Sequence, residues 1–191
     1  CGPPCWRNII PGETVWQDAI TIIEDDATLT DPDIRTAEDS TVQGVLWGEE
    51  GGDDCCQMYT EDSETVDVII LQTAPDSTLG QVIDEYGDPL YVIGESFTDD
   101  QGVFSLFYPE QQMVIYAFVE GENASLSESS EVIGFGYFSR TRMDLLLVTN
   151  DLHIWEGYDT LANYLGGEFE VTPSVTLTPS AESEEEYALR K

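Results

Sequence analysis

The sequence predicts an α+β fold built from two repeated helix-plus-antiparallel-sheet units. Three observations carry that expectation. Apolar residues recur at helical spacing after Pro11-Gly12, strand-like stretches separated by short polar turns follow them, and the same succession begins again near Pro75.

The opening Cys1-Gly2-Pro3-Pro4-Cys5-Trp6 is rich in turn formers, and residues 1–10 read as a tether leading into the first unit. Thr14 is a good helix N-cap, and Gln17 three positions on can close a capping box. Val15, Trp16, Ala19, Ile20 and Ile23 fall on one helical face, with Asp18 and Glu24 on the other. Strands are then expected at 41–47, 55–60 and 65–72, joined by acidic turns, which implies an antiparallel meander. The first unit is therefore placed at 11–73.

The second unit, 74–171, opens with Pro75, Thr78 and Gln81, which match Pro11, Thr14 and Gln17 at an offset of 64. Leu79 then matches Val15, and Ile83 matches Ala19. A capped helix is expected over 79–86, stopped by Gly87-Asp88-Pro89. Strands follow at 90–97, 103–108, 113–120, 132–140 and 143–148, with a polar loop at 121–131 carrying the sequon Asn123-Ala124-Ser125. His153 to Tyr158 lead into a short helix near 160–165. Residues 172–191 change to Pro, Ser, Thr and acidic residues and read as a disordered tail.

Charge bounds the partners. Thirty-nine acidic residues face six basic ones, for a net charge of -33. Such a surface repels the phosphates of nucleic acid and anionic lipid headgroups, so no nucleic-acid partner is expected. The acidity fits adaptation to high salt, a solubilising coat, or a field that attracts cations or a basic partner, and the scarcity of lysine favours the first two.

The four cysteines are Cys1, Cys5, Cys55 and Cys56, with no C-x-x-C spacing and a single histidine, His153, a poor set for a closed zinc site. No apolar run is long enough to span a membrane. The start at cysteine resembles mature bacterial lipoproteins, which implies a lipid on Cys1. That would leave Cys5 to pair with Cys55 or Cys56, the other remaining buried. A bridge between the neighbours Cys55 and Cys56 is disfavoured on geometry.

A further resemblance rests on the two helix boundaries. Gly12-Glu13-Thr14 is similar to the Gly-x-Thr opening of the tandem BamE/SmpA-like bacterial lipoproteins, and Gly87-Asp88-Pro89 to their Gly-x-Pro closing. Each half keeps one end of that signature, Asp76 standing where the second opening has glycine. The tandem layout is also similar to that of the β-lactamase inhibitory protein family, which pairs two helix-plus-sheet halves. The resemblance implies a protein that binds other proteins and carries out no chemistry of its own.

Candidate sites are sparse. A catalytic triad or a Cys–His pair would have to use His153, and no Gly-x-Ser-x-Gly elbow is present. A packing role beside Trp155 and Tyr158 is the simpler expectation. Glu49, Glu50, Asp53, Asp54, Asp99 and Asp100 fall in turns where carboxylates could hold calcium, though without the spaced loop of a calcium hand. Trp6, Trp16, Trp47 and Trp155 are expected in the core, or as a partner-binding patch where exposed together.

The expectation is then a lipid-anchored, extracytoplasmic protein-binding or assembly module at the cell surface or in the periplasm. It would meet the membrane only through the lipid on Cys1, and neither a cofactor nor enzymatic activity is expected. A secreted inhibitor acting on an enzyme is the alternative, and a hydrolase with an unrecognised site stands behind it.

Overall fold

The computed structural model describes residues 1–37, 40–73, 77–98, 100–121 and 124–166, and the backbone of 177–178. The elements run α1 (Trp16–Glu24), β1 (Asp33–Ala37), β2 (Gln43–Gly48), β3 (Asp54–Thr60), β4 (Val68–Gln72), α2 (Leu79–Tyr86), β5 (Tyr91–Thr98), β6 (Gln101–Tyr108), β7 (Met113–Glu120), β8 (Glu131–Phe138), α3 (Arg140–Thr149), β9 (His153–Ile154), α4 (Leu161–Tyr164) and β10 (Leu177–Thr178). The class is α+β. Among the described residues the strands form one ten-stranded sheet in the order β10-β1-β2-β3-β4-β8-β7-β6-β5-β9. Every pairing in it is antiparallel.

That order places the last strand of each meander at the centre. β4 pairs with β8 from Val68 opposite Phe138 to Gln72 opposite Gly134. Each helix lies on its own stretch of sheet. Trp16, Ala19, Ile20 and Ile23 of α1 pack on Val45, Trp47, Met58 and Ile69. Leu79 and Val82 of α2 pack on Phe104, Leu106, Met113 and Ile115. Alternate residues point to the other face, as the pleat requires. There Val68, Phe107, Val114 and Phe138 meet Met143 and Leu146 of α3.

The helix starts are tied to the sheet in parallel ways. Trp16 N donates to Glu64 O (2.8 Å) and Val66 N to Thr14 O (3.0 Å), while Leu79 N donates to Ser130 O (2.9 Å) and Val132 N to Ser77 O (2.9 Å). The expected capping box forms at α2, where Thr78 Oγ1 accepts from Gln81 N and Gln81 Oε1 accepts from Thr78 N. It does not form at α1. The cap there is Val15, without a side-chain bond, because Thr14 Oγ1 already accepts from Ile10 N (2.8 Å) in the preceding turn. The two helices consequently start 63 residues apart, at Trp16 and Leu79, one short of the sequence offset.

Other expectations are corrected. Residues 143–148 are helical, within α3, and not a strand. Ser139 Oγ accepts from Arg142 N to cap the helix, and Met143 and Leu146 then fall three apart on its buried side. Strand β1 escaped notice because its burial is slight until Ala37. Residues 1–10 are no free tether. Ile9 is fully buried, Trp6 and Ile9 exchange backbone bonds, and the Trp6 ring lies 5.3 Å from that of Trp47. The expected tail, 172–191, falls outside the described residues except for β10, whose backbone pairs with Thr36 and Ala37 of β1. No helix among the described residues is long and apolar enough to cross a membrane.

Candidate functional site

Three segments distant in sequence meet beside α2 and leave an open groove of about 830 Å³. One wall is α2 and the turn after it, with Gln81, Ile83, Asp84 and Asp88. The second is the loop before β8, with Glu128 and Ser129, and the third is Trp155 to Tyr158 beyond β9. Gly80 allows the first two to close up. Its amide donates to the Glu128 carbonyl (2.9 Å), and a side-chain Cβ there would lie 3.0 Å from that same oxygen.

The third wall is held from several sides. Trp155 N donates to Leu90 O (3.2 Å), extending the pairing of β9 with the edge of β5. The Trp155 ring stacks on Tyr164 of α4 at 6.1 Å and 14° and meets Tyr158 edge-on at 5.8 Å and 83°. Tyr164 Oη accepts from Glu156 N (3.0 Å) and donates to Gly157 O (2.9 Å), so α4 sets the path of the wall. Asp159 fastens the next turn through Thr160 N and Asn163 Nδ2, and these bonds hold its carboxyl below the usual range. Tyr158 itself is 40% exposed.

Carboxylates dominate the groove's electrostatics. Asp84, Asp88, Glu128 and Glu156 are all exposed along it, and among the described residues no cation faces them. The described arginines are engaged elsewhere, Arg7 with Asp26, Arg35 with Asp33, Arg142 with Glu61, and Arg140 with the Pro109 carbonyl. The tyrosines register the field. Partial burial raises the Tyr158 phenol, and the charges of Glu128, Asp84 and Asp88 raise it further. Tyr108, 2% exposed, is raised by burial and then by Asp88 and Tyr158, and its hydroxyl has no hydrogen-bond partner.

The residues singled out from sequence lie elsewhere. His153 Nε2 donates to Leu165 O (2.9 Å), and its ring sits edge-on to Tyr164 at 5.9 Å. Glu49, Glu50, Asp53 and Asp54 are exposed around the turn between β2 and β3. Asp100 accepts from Thr98 Oγ1 (2.9 Å), while Asp99 and Asn123 lie outside the described residues. Among the described residues no three metal-ligating side chains converge. Trp16 and Trp47 are core, and Trp155 alone of the four tryptophans lines the groove.

The cysteine expectation is corrected as well. Cys1 pairs with Cys5, their Cα atoms 5.6 Å apart, and Cys55 pairs with Cys56 within β3. Cys5 closes a local loop in the Pro-rich segment and never approaches β3 as a partner. A thioether to lipid and a bridge to Cys5 are alternatives at the Cys1 sulfur. Intact-mass analysis of native protein should find the chain four hydrogens lighter than its reduced form, with no titratable thiol. A diacylglyceryl adduct with a free thiol at Cys5 would remove the first bridge and restore the lipid reading.

Sequence reasoning missed Asp84, Asp88, Glu128, Ser129 and Glu156 as a group. The available signal was Trp155-Glu156-Gly157-Tyr158, an aromatic and acidic alternation around a turn glycine. Comparison of the chain with protein-family models, curated proteins and solved structures gives no match.

Proposed function

We propose that this chain is an extracytoplasmic protein-binding module whose contact site is the acidic, aromatic-walled groove beside α2. The observation that carries the reading is the groove itself, where Tyr158 and a half-buried Trp155 stand among four carboxylates with no neighbouring cation among the described residues. Aromatic side chains with one apolar body and one polar tip are the usual anchors of protein contacts. Placement outside the cytoplasm is supported by the two cysteine bridges, since such bonds persist in oxidising compartments. Membrane attachment through a lipid on Cys1 belongs to this reading only for a form of the chain in which the bridge to Cys5 is open.

The proposal extends to the architecture as two units of one helix and one four-stranded meander, joined edge to edge. The mirrored strand order, the paired contacts at the two helix starts and the separate core under each helix all support it. The likeness to BamE/SmpA-type units gains from Gly12 and Gly87, whose φ values of 83° and 82° favour glycine.

A photo-cross-linking residue at Ser129, introduced into the full chain in its native envelope, tests the binding role. It should give a discrete adduct with one protein, absent when the same residue replaces the exposed Glu24 of α1. Identical adduct patterns from both positions would remove the groove as the contact site.

A further inference from the structure

We propose that the groove recognises an arginine side chain presented by a basic segment of the partner protein, seated against Trp155 and Tyr158 with Asp84, Asp88 and Glu128 as its acceptors. This rests on the binding role proposed above and names its chemistry.

Four features point the same way. First, the wall combines aromatic rings with carboxylates on both sides, the two partners a guanidinium can use together by stacking and forked hydrogen bonding. A lysine ammonium is a point charge and would use only part of the arrangement. Second, the aromatic wall is already formed, since Trp155 stacks on Tyr164, whose Oη accepts from Glu156 N and donates to Gly157 O.

Third, charge selects the partner. Among the described residues the groove carboxylates have no cation of their own, and the chain as a whole carries -33, which draws a basic protein and repels an acidic one. Fourth, size selects a segment over a free small cation. A groove of about 830 Å³ open along three segments exceeds what one side chain fills. Exposed carboxylates contribute little singly, so a ligand must engage several at once to bind.

The test uses the full chain and a seven-residue peptide with a central arginine flanked by glycines and lysines. Nuclear magnetic resonance should show amide shifts at Gly80, Ser129 and 155–158, with affinity measured calorimetrically at low salt. Citrulline in place of the arginine removes the charge and keeps the shape, and should weaken binding by about tenfold, with lysine falling between the two. Asp84→Asn together with Asp88→Asn should cost a similar factor of about ten, while Asp18→Asn with Glu24→Asn on α1 removes equal charge far away and should change affinity less than about twofold. If the Asn variants at the groove fail to fold, the peptide series still decides.

Binding indifferent to citrulline would overturn the arginine assignment and leave a protein-binding groove of another chemistry. Equal losses from the two charge pairs would mean that the overall field, and not the groove, attracts the peptide. Tetramethylammonium or arginine amide binding as tightly as the peptide would replace the protein segment by a small cation. No shifts at the groove with any peptide, together with cross-links away from Ser129, would remove both this inference and the function beneath it.

Discussion

Replacing Trp47 by alanine should cost about 3–5 kcal/mol, the range for truncating a buried large aromatic, and a domain's whole stability is about 5–15 kcal/mol. Trp47 of β2 has no exposed surface, shares the core with the buried side of α1, and carries Trp6 at 5.3 Å. The loss should therefore reach the amino-terminal segment, whose Trp6 and Ile9 exchange backbone bonds of 3.0 and 2.7 Å. Urea denaturation gives the free energy, and hydrogen exchange at those two amides reports the release. Trp47→Phe should lose less than half as much, because the indole N–H is buried without a partner and its removal offsets part of the lost packing. A Trp47→Ala cost under about 1 kcal/mol would mean that the segment is held by other contacts.

Salt should raise the melting temperature by at least about 5 °C between low-millimolar and molar sodium chloride, roughly 2 kcal/mol for a chain of this size. With 39 acidic residues against six basic ones, most surface carboxylates repel each other. The ion pairs at Arg7, Arg35 and Arg142 are partly exposed and offset little of that repulsion. Screening shortens the reach of the charges from about 30 Å at 0.01 M to about 3 Å at 1 M salt, and unfolding relieves the same repulsion by spreading them. Calcium at matched ionic strength separates screening from binding at Glu49, Glu50, Asp53, Asp54, Asp99 and Asp100, since a bound ion would stabilise far beyond the sodium control. A melting temperature indifferent to both ions would end the salt-adaptation reading.

Helix α2 was legible in the sequence because its whole logic is local. Thr78 and Gln81 form the box, Leu79 and Val82 supply the buried face, and Gly87 ends it. Helix α3 was not, because 143–148 is a short, nearly continuous apolar run whose period fits strand or helix alike. The Ser139 cap settles it, and its signal lies outside the run. The cap of α1 misled for a related reason. Thr14 has the right chemistry three residues before Gln17, but its hydroxyl is taken by Ile10 N before the helix can use it.

The groove was illegible for a different reason. Asp84 and Asp88 lie at the end of one helix, Glu128 in a loop, and Trp155 and Tyr158 beyond α3, so no spacing along the chain relates them. Only the return of the chain along the edge of β5, through β9, brings the last two to α2. The cysteines show the limit from the other side. Four thiols can be counted, but both bridges close between near neighbours, Cys1 to Cys5 and Cys55 to Cys56, which a count does not reveal.

The pairing of β4 with β8 also has a bearing on biosynthesis. Val68-Ile69-Ile70-Leu71 is finished early, yet the strand that covers its open side ends at Phe138. During that interval a growing chain presents a bare, aliphatic ribbon of hydrogen-bonding groups, the template on which neighbouring copies stick together. Acidic residues crowd the turns on either side of that ribbon's meander, and two nascent copies carrying them push each other away at a distance where bare edges cannot yet meet. A coat of this charge opposes clumping of the unfinished molecule by simple repulsion, before there is any finished surface for it to decorate.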